Sequence, residues 1–328
     1  MECLPVPVAP ADLQDNAELP FTAAFEDALG LARGLALSSK SDATRKAYAS
    51  DWKHFAAWCE RVGAVAMPAE PHTVAAYLAQ LQADRKKIST IDRRAAAIAY
   101  GHRLKGASPP TAAELVKAVL QGARRRTSVA VERKAPATAR AIAAMLKRIP
   151  ADTLQGKRDR ALLLIGFAAA LRRSEIVALD VTDLERTSDG VFVHIRRSKT
   201  DQTGEGHVVA VPRGSRLRPV EALEGWLAAA GIDAGPVFRR IRKGGRIEGR
   251  LTDQSVALIV KRWASAARMD ATLFAGHSLR AGFVTSALEA GSDVLKVMDV
   301  TRHTAVQTLK GYDRRAKAFK DHAGGKFL

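Results

Sequence analysis

Cysteine is nearly absent from this chain: Cys3 and Cys59 are the only two among 328 residues. They stand too far apart to suggest a metal pair and are too few for a disulfide framework, which fits a reducing cytosol. Aromatics are scarce as well, 5% against 47% hydrophobic residues overall. The cores must therefore come from Ala, Leu, Val and Ile, a composition that favours helices over a β-sandwich. No apolar run approaches the roughly 20 residues of a spanning helix, which argues against a membrane protein. There is no phosphate-binding glycine loop and no metal-ligand spacing, so no cofactor or metal is expected. The start, MECLPVPVAPADLQ, has neither a basic region nor a long apolar one and does not read as a signal peptide.

Positive charge is what the chain has in excess. The formal net charge is +18 and the isoelectric point about 10.3, which points to a polyanionic partner. Nucleic acid is the first candidate, an anionic membrane surface the second, and an Arg-rich, merely solvated surface the plain alternative. Residues 1–40 sum to −4, residues 41–130 to +8 and residues 131–328 to +14. Only the leading arm is acidic.

Residues 1–37, rich in Pro and acidic side chains at the start, read as a disordered arm, with at most a frayed helix over 21–37. Residues 38–126 read as four or five short helices. One begins at the capping residues near Ser41 and ends at Gly63; others start after Pro68 and Pro71, near Ser89 and at Thr111. Residues 127–136 lack a helical period and end in Pro136, as a linker does. Residues 137–328 begin with two or three helices. LLLIGFAAAL is apolar all round, as a buried helix requires, and Arg172, Arg173, Ser174 and Glu175 follow it, Ser174 and Glu175 reading as an N-cap and first turn. One of the two arginines is held where a buried helix emerges, and periodicity alone does not say which. GVFVHI and HVVAV alternate on either side of a turn-rich stretch and predict a β-hairpin with Lys199 at or near its tip. VFRRIRKGGRIEGR predicts a basic loop or strand pair suited to phosphate backbone. HSLRAGFVTSALEAG predicts a helix capped near Ser278 and stopped at Gly291, with His277 and Arg280 at its anion-favouring N-terminus. Two short helices follow, the second delivering Tyr312.

Taken together, Arg172, Lys199, His277, Arg280, His303 and Tyr312 resemble the active-site set of the tyrosine recombinases, or phage integrase family. The motifs that carry the resemblance are ALRRSEI, RRSKT, HSLR and TRHTAVQTLKGY, and it extends over nearly the whole chain from about residue 38. It implies a mainly α protein: an N-terminal all-α core-binding domain, then a mixed α/β catalytic domain, mostly helical with a small antiparallel sheet. It selects Arg172 over Arg173 and puts Glu175 in a supporting acidic position. It implies a site-specific recombinase that joins strands through a 3′-phosphotyrosyl link, with Tyr312 as nucleophile and Arg172 and Arg280 clamping the phosphate. His277 would accept the phenolic proton, Lys199 protonate the leaving 5′ oxygen and His303 hydrogen-bond the phosphate. The implied partners are double-stranded DNA, with inverted half-sites around a short spacer, and three further copies of the chain in a tetramer. The implied location is cytoplasmic, on the nucleoid. Thr44, Lys46, Lys53, Lys87, Thr90, Arg93, Arg240, Arg242 and Lys243 fall where DNA contacts are expected; the tail either packs Ala316 and Phe319 into a neighbouring subunit or is a frayed terminus.

Three departures stand out. Ala281 replaces the second histidine of HxLRH. Asp253 and Gln254 stand where a base-reading Arg is expected. TRH replaces LGH, leaving Arg302 unexplained. Two other readings share these features: a type IB topoisomerase-like nicking and closing enzyme, and a DNA-binding protein without activity.

Overall fold

The computed structural model describes residues 23–127, 134–196, 206–303, 305, 306 and 309. The chain forms two compact units, Met1–Val131 and Glu132–Leu328.

Among its described residues the first unit has helices and no strand. Helix α1 spans Ala23–Ser38, α2 Asp42–Val62, α3 Pro71–Ala83, α4 Ile88–Leu104 and α5 Glu114–Arg126. Within the expected arm, where at most a frayed helix was expected over 21–37, α1 is a continuous helix over Ala23–Ser38 despite Gly30 and Gly34. Its run of Ala and Leu outweighs the cost of about 1 kcal/mol that each glycine carries. Leu31 and Leu35 on it are exposed. Helix α2 opens with the Ser41 side chain accepting the Thr44 N–H and closes at Gly63 in the left-handed conformation. Phe55 and Cys59 from α2, Val74, Tyr77, Leu78 and Leu81 from α3, and Ile91 and Ile98 from α4 build the core, with Trp52 and Trp58 packed at its margin.

The second unit contains α6 (Ala139–Leu146), α7 (Leu154–Ala168), α8 (Arg173–Ala178), α9 (Pro219–Ala230), α10 (Asp253–Ala266), α11 (Ser278–Glu289) and α12 (Val294–Thr301). Its strands are β1 (Leu184–Arg186), β2 (Gly190–Ile195), β3 (His207–Pro212), β4 (Arg239–Ile241) and β5 (Ile247–Arg250). β1, β2 and β3 form an antiparallel sheet in that order, β4 and β5 a separate antiparallel pair. The hairpin and the basic strand pair were legible in the sequence; β1 was not, because three residues are too few to show an alternation.

Helix α7 is the centre of this unit. Ala161 to Ile165 are all buried, and it packs against α6, α8, α9, α10 and α11. Gly166 allows the closest approach: a Cβ there would sit 2.7 Å from Ile176 of α8 and 2.8 Å from Leu279 of α11. The residues that follow α7 and those that open α11 are thereby brought together.

The expected linker does not run to residue 136. Lys134 Nζ donates to the Thr272 carbonyl at 2.7 Å, and the N–H groups of Ala135 and Ala137 donate to the carbonyls of Leu273 and Ser278. The Ala139 N–H donates to Ser286 Oγ at 2.8 Å. Backbone here finds partners in the turn at 271–273 and along α11, which periodicity could not reveal. A Cβ on Gly282 would meet the Ala137 carbonyl oxygen at 1.9 Å. Gly282→Ala is therefore expected to lower stability by about 2 kcal/mol, read as a fall of several degrees in Tm; an unchanged Tm would mean that this strap does not hold α11.

Candidate active site

The site begins where α7 ends. Leu171 N–H bonds back to the Gly166 carbonyl at 3.0 Å, and Ala170 takes a left-handed conformation with φ 48°. The Ala170 carbonyl accepts Arg280 Nη1 at 3.0 Å and Arg302 Nη2 at 3.4 Å. Arg172 comes next and is the N-cap of α8, two residues before the expected cap at Ser174. The reason is Glu175, whose Oε2 takes the Arg172 backbone N–H at 2.8 Å, while its Oε1 takes Arg172 Nη1 at 2.7 Å. The same Oε2 accepts Arg302 Nη2 at 2.7 Å. The Glu175 side chain is only 3% exposed, so this is a buried carboxylate held by two guanidinium groups. Breaking such a pair from one side costs about 3–5 kcal/mol.

Two further elements converge on it. Arg280, in the first turn of α11, is buried, and His277 immediately precedes that helix. Helix α12 ends with Thr301 buried, Arg302 as its left-handed cap and His303 just beyond. Thr301 Oγ1 donates its one proton to the Val297 carbonyl at 2.6 Å and lies 2.7 Å from His303 Nδ1. The ring is thus the donor at Nδ1, and its Nε2 is left as the group available to a ligand.

Positive charge is concentrated in a poorly solvated place. Burial pushes His303 down to about 4, assisted by the charges of Arg280 and Arg172, His277 and Arg302. Burial also lowers His277, helped by Arg280 and Arg172. Both imidazoles are consequently neutral at pH 7 beside three guanidinium groups. Burial holds Arg302 below its ordinary value, and Glu175 works against that. Such a set accepts one anion with delocalised negative charge, as a phosphodiester has, and retains a neutral base beside it. Among the described residues no three His, Cys, Asp or Glu side chains are grouped so as to hold a metal ion.

The model of the phage integrase family matches residues 133–318. An integrase/recombinase XerD homolog of Selenomonas ruminantium is 39% identical over 291 residues, covering 87% of this chain and 85% of that protein. The chain belongs to the phage integrase family. As a member it is a tyrosine-type recombinase, a DNA strand transferase. Recombinase Cre of Escherichia phage P1 is 28% identical over 295 residues, 84% of each chain. In fold the chain is similar to lambda integrase in a dimer bound to a core site, with a TM-score of 0.59 at 15% identity over 86% of this chain and 74% of that one.

Within this recombinase, Arg172, Glu175, His277, Arg280 and His303 of the sequence-derived set gather in one place. Lys199 and Tyr312 lie outside the described residues, as do Ala316 and Phe319. Arg173 is different from Arg172: it is half exposed and pairs with Asp253 at 3.1 Å. Asp253, noted for standing where a base-reading Arg was expected, therefore has a partner of its own. Of the expected DNA contacts, Lys46, Lys53, Lys87, Arg240 and Lys243 are exposed, while Thr44 and Thr90 are half-buried. Thr44 shares a hydrogen bond with Ser41. Arg93 is bound in two-pronged fashion to the buried carboxylate of Asp51, at 2.7 and 3.0 Å. Arg242 Nε donates to Glu248 at 2.9 Å. Sequence reasoning gave no role to Arg302; its only signal was its departure from LGH.

The lowered histidines give a pH dependence of defined sign. An unfolded His303 titrates near 6.5 and the folded one near 4, so between these values the unfolded chain binds the extra proton. Stability in the absence of DNA must fall as the pH drops through that window. His303→Gln should flatten that part of the curve when unfolding is followed from pH 7 to pH 4. Parallel curves for the two proteins would contradict the assignment.

Proposed function

We propose that this recombinase cuts and rejoins DNA at specific sites through a 3′-phosphotyrosyl intermediate. Tyr312 attacks the scissile phosphorus, its proton passes to His277, and the bond to the 5′ oxygen breaks as Lys199 supplies a proton to it. Arg172 and Arg280 hold the non-bridging oxygens and stabilise the charge that builds on them. The negative phosphodiester raises the proton affinity of His303, whose Nε2–H then donates to it. Glu175 orients Arg172 without reacting. Because the covalent link conserves one phosphoester bond for another, a second 5′ hydroxyl reverses the step and joins a new strand, with no nucleotide cofactor or metal in the scheme. The observation that carries this reading is the buried cluster in which Glu175 and the Ala170 carbonyl orient arginines beside two neutral imidazoles.

The same proposal places Thr44, Lys46, Lys53, Lys87, Thr90, Arg93, Arg240, Arg242 and Lys243 against double-stranded DNA. The working unit is a tetramer on two paired sites, each with inverted half-sites, in the cytoplasm on the nucleoid. The overall charge of +18 supports a polyanionic partner. The relatives named as recombinases favour strand exchange over simple nicking and closing.

The test uses a nicked duplex carrying the sequence that the protein itself selects from a random library. Wild type should form an SDS-resistant protein–DNA adduct, and Tyr312→Phe none. An adduct with Tyr312→Phe, or none with wild type, would overturn the mechanism. Arg172→Ala should bind that duplex within a few-fold of wild type yet form adduct at least about 100-fold more slowly. Unchanged cleavage would remove Arg172 from the site. Binding should weaken steeply with added salt, and two sites should be brought together in a synapsis assay, which a monomeric nicking and closing enzyme would not do.

A further inference from the structure

Arg302 is strained, buried and charged at once. Its backbone has φ 56° and ψ 45°, a left-handed conformation that suits glycine and not a long side chain. Its side chain is 6% exposed. One nitrogen, Nη2, bonds Glu175 at 2.7 Å and the Ala170 carbonyl at 3.4 Å. Its Nε and Nη1 are buried and have no hydrogen-bond partner among the described residues. A structural role alone would be met more cheaply by a glycine in the turn and an apolar neighbour filling the space. Instead the chain keeps a third guanidinium where Arg172 and Arg280 already crowd.

Its connections say what it does there. Glu175 Oε2 receives both Arg302 Nη2 and the backbone N–H of Arg172, while Oε1 receives the Arg172 side chain. Arg172 engages both carboxylate oxygens from within α8, and Arg302 adds a bond to Oε2 from the end of α12, so the carboxylate is held from two elements. Arg302 is also the residue next to His303, so the same bond ties the end of α12 to the start of α8. We propose that Arg302 is a positioning residue of the cleavage reaction, setting the Arg172 guanidinium through the shared Glu175 carboxylate and fixing His303 beside it. This rests on the phosphotyrosyl reading given above.

Arg302→Gly relieves the left-handed strain and removes the side chain, and Arg302→Lys keeps the charge with one donor group. Single-turnover adduct formation on the selected nicked duplex, DNA affinity and Tm are measured for each. Arg302→Gly is expected to bind DNA within about threefold of wild type and, although it leaves the buried Glu175 carboxylate with one guanidinium partner and so melts at a lower temperature, to remain folded at the assay temperature. Its adduct formation should be slower by 30-fold or more, and Arg302→Lys should recover part of that rate. The His303 ring, followed by NMR without DNA, should titrate above about 4 in Arg302→Gly, since one of the charges that depress it is gone. Wild-type cleavage by a folded Arg302→Gly overturns the proposal. So does a loss of cleavage matched by equal losses in affinity and Tm in both variants, which marks a scaffold residue. If Arg302→Gly does not fold, Arg302→Lys decides: slower cleavage at unchanged affinity supports the proposal, and wild-type cleavage, or failure of this variant to fold as well, overturns it. Absence of adduct with wild type instead removes the phosphotyrosyl reading, and this inference with it.

Discussion

A carboxylate shut away from water is costly unless cations and N–H groups replace its hydration. Glu175 meets that condition with the Arg172 backbone and side chain on one side and Arg302 on the other. The constraint works in both directions. The carboxylate cannot move without exposing an unpaired charge, so the arginines around it cannot move either. Helix α8 starts at Arg172 because Glu175 reaches back to cap it. The turn before it, with Ala170 in a left-handed conformation, aims a carbonyl at Arg280 and Arg302. Most of the local geometry follows from satisfying one buried anion.

That arrangement also explains how the site remains receptive to another anion. Two guanidinium groups hold one carboxylate and a third, that of Arg280, sits on the Ala170 carbonyl, and the neighbouring imidazoles are kept neutral by burial and by the charges of Arg280 and Arg172. In the proposed reaction an entering phosphodiester supplies the missing negative charge, and its field favours protonation of the ring next to it. On that proposal the groups that bind the phosphate and those that move protons are poised by the same electrostatics. Rigid placement on α8 and α11, both packed on the apolar α7, and on the end of α12, which packs on α11, means that little reorganisation is required in the proposed reaction.

Much of this was legible before the fold was known. The apolar run of α7, the Gly63 stop of α2, the hairpin of β2 and β3 and the helix opening at Ser278 all show in periodicity and punctuation. Membership of the recombinases showed as well, from ALRRSEI, RRSKT, HSLR and TRHTAVQTLKGY. What was hidden depended on long-range partners. The docking of residues 134–137 on the turn at 271–273 and the start of α11 is made mostly of backbone hydrogen bonds, which carry no side-chain signature. The N-cap at Arg172 looked two residues off because Ser174 is the better intrinsic cap, and a buried Glu175 overrode it. Arg302 stood unexplained in the sequence, and only the proximity of the α12 end to α8 gives it a partner 127 residues away. The helix α1 was underestimated because two glycines were weighed more heavily than the alanines and leucines around them.

The central claim is that Glu175 orients the phosphate-binding arginine without touching the DNA. It is tested most directly by single-turnover cleavage of the selected nicked duplex with Glu175→Gln, with DNA affinity measured in parallel. Glutamine keeps the shape and one acceptor oxygen but loses the charge that holds two guanidinium groups. The account predicts affinity within about threefold of wild type and adduct formation slowed by about 100-fold. Cleavage at the wild-type rate by the folded variant would contradict it.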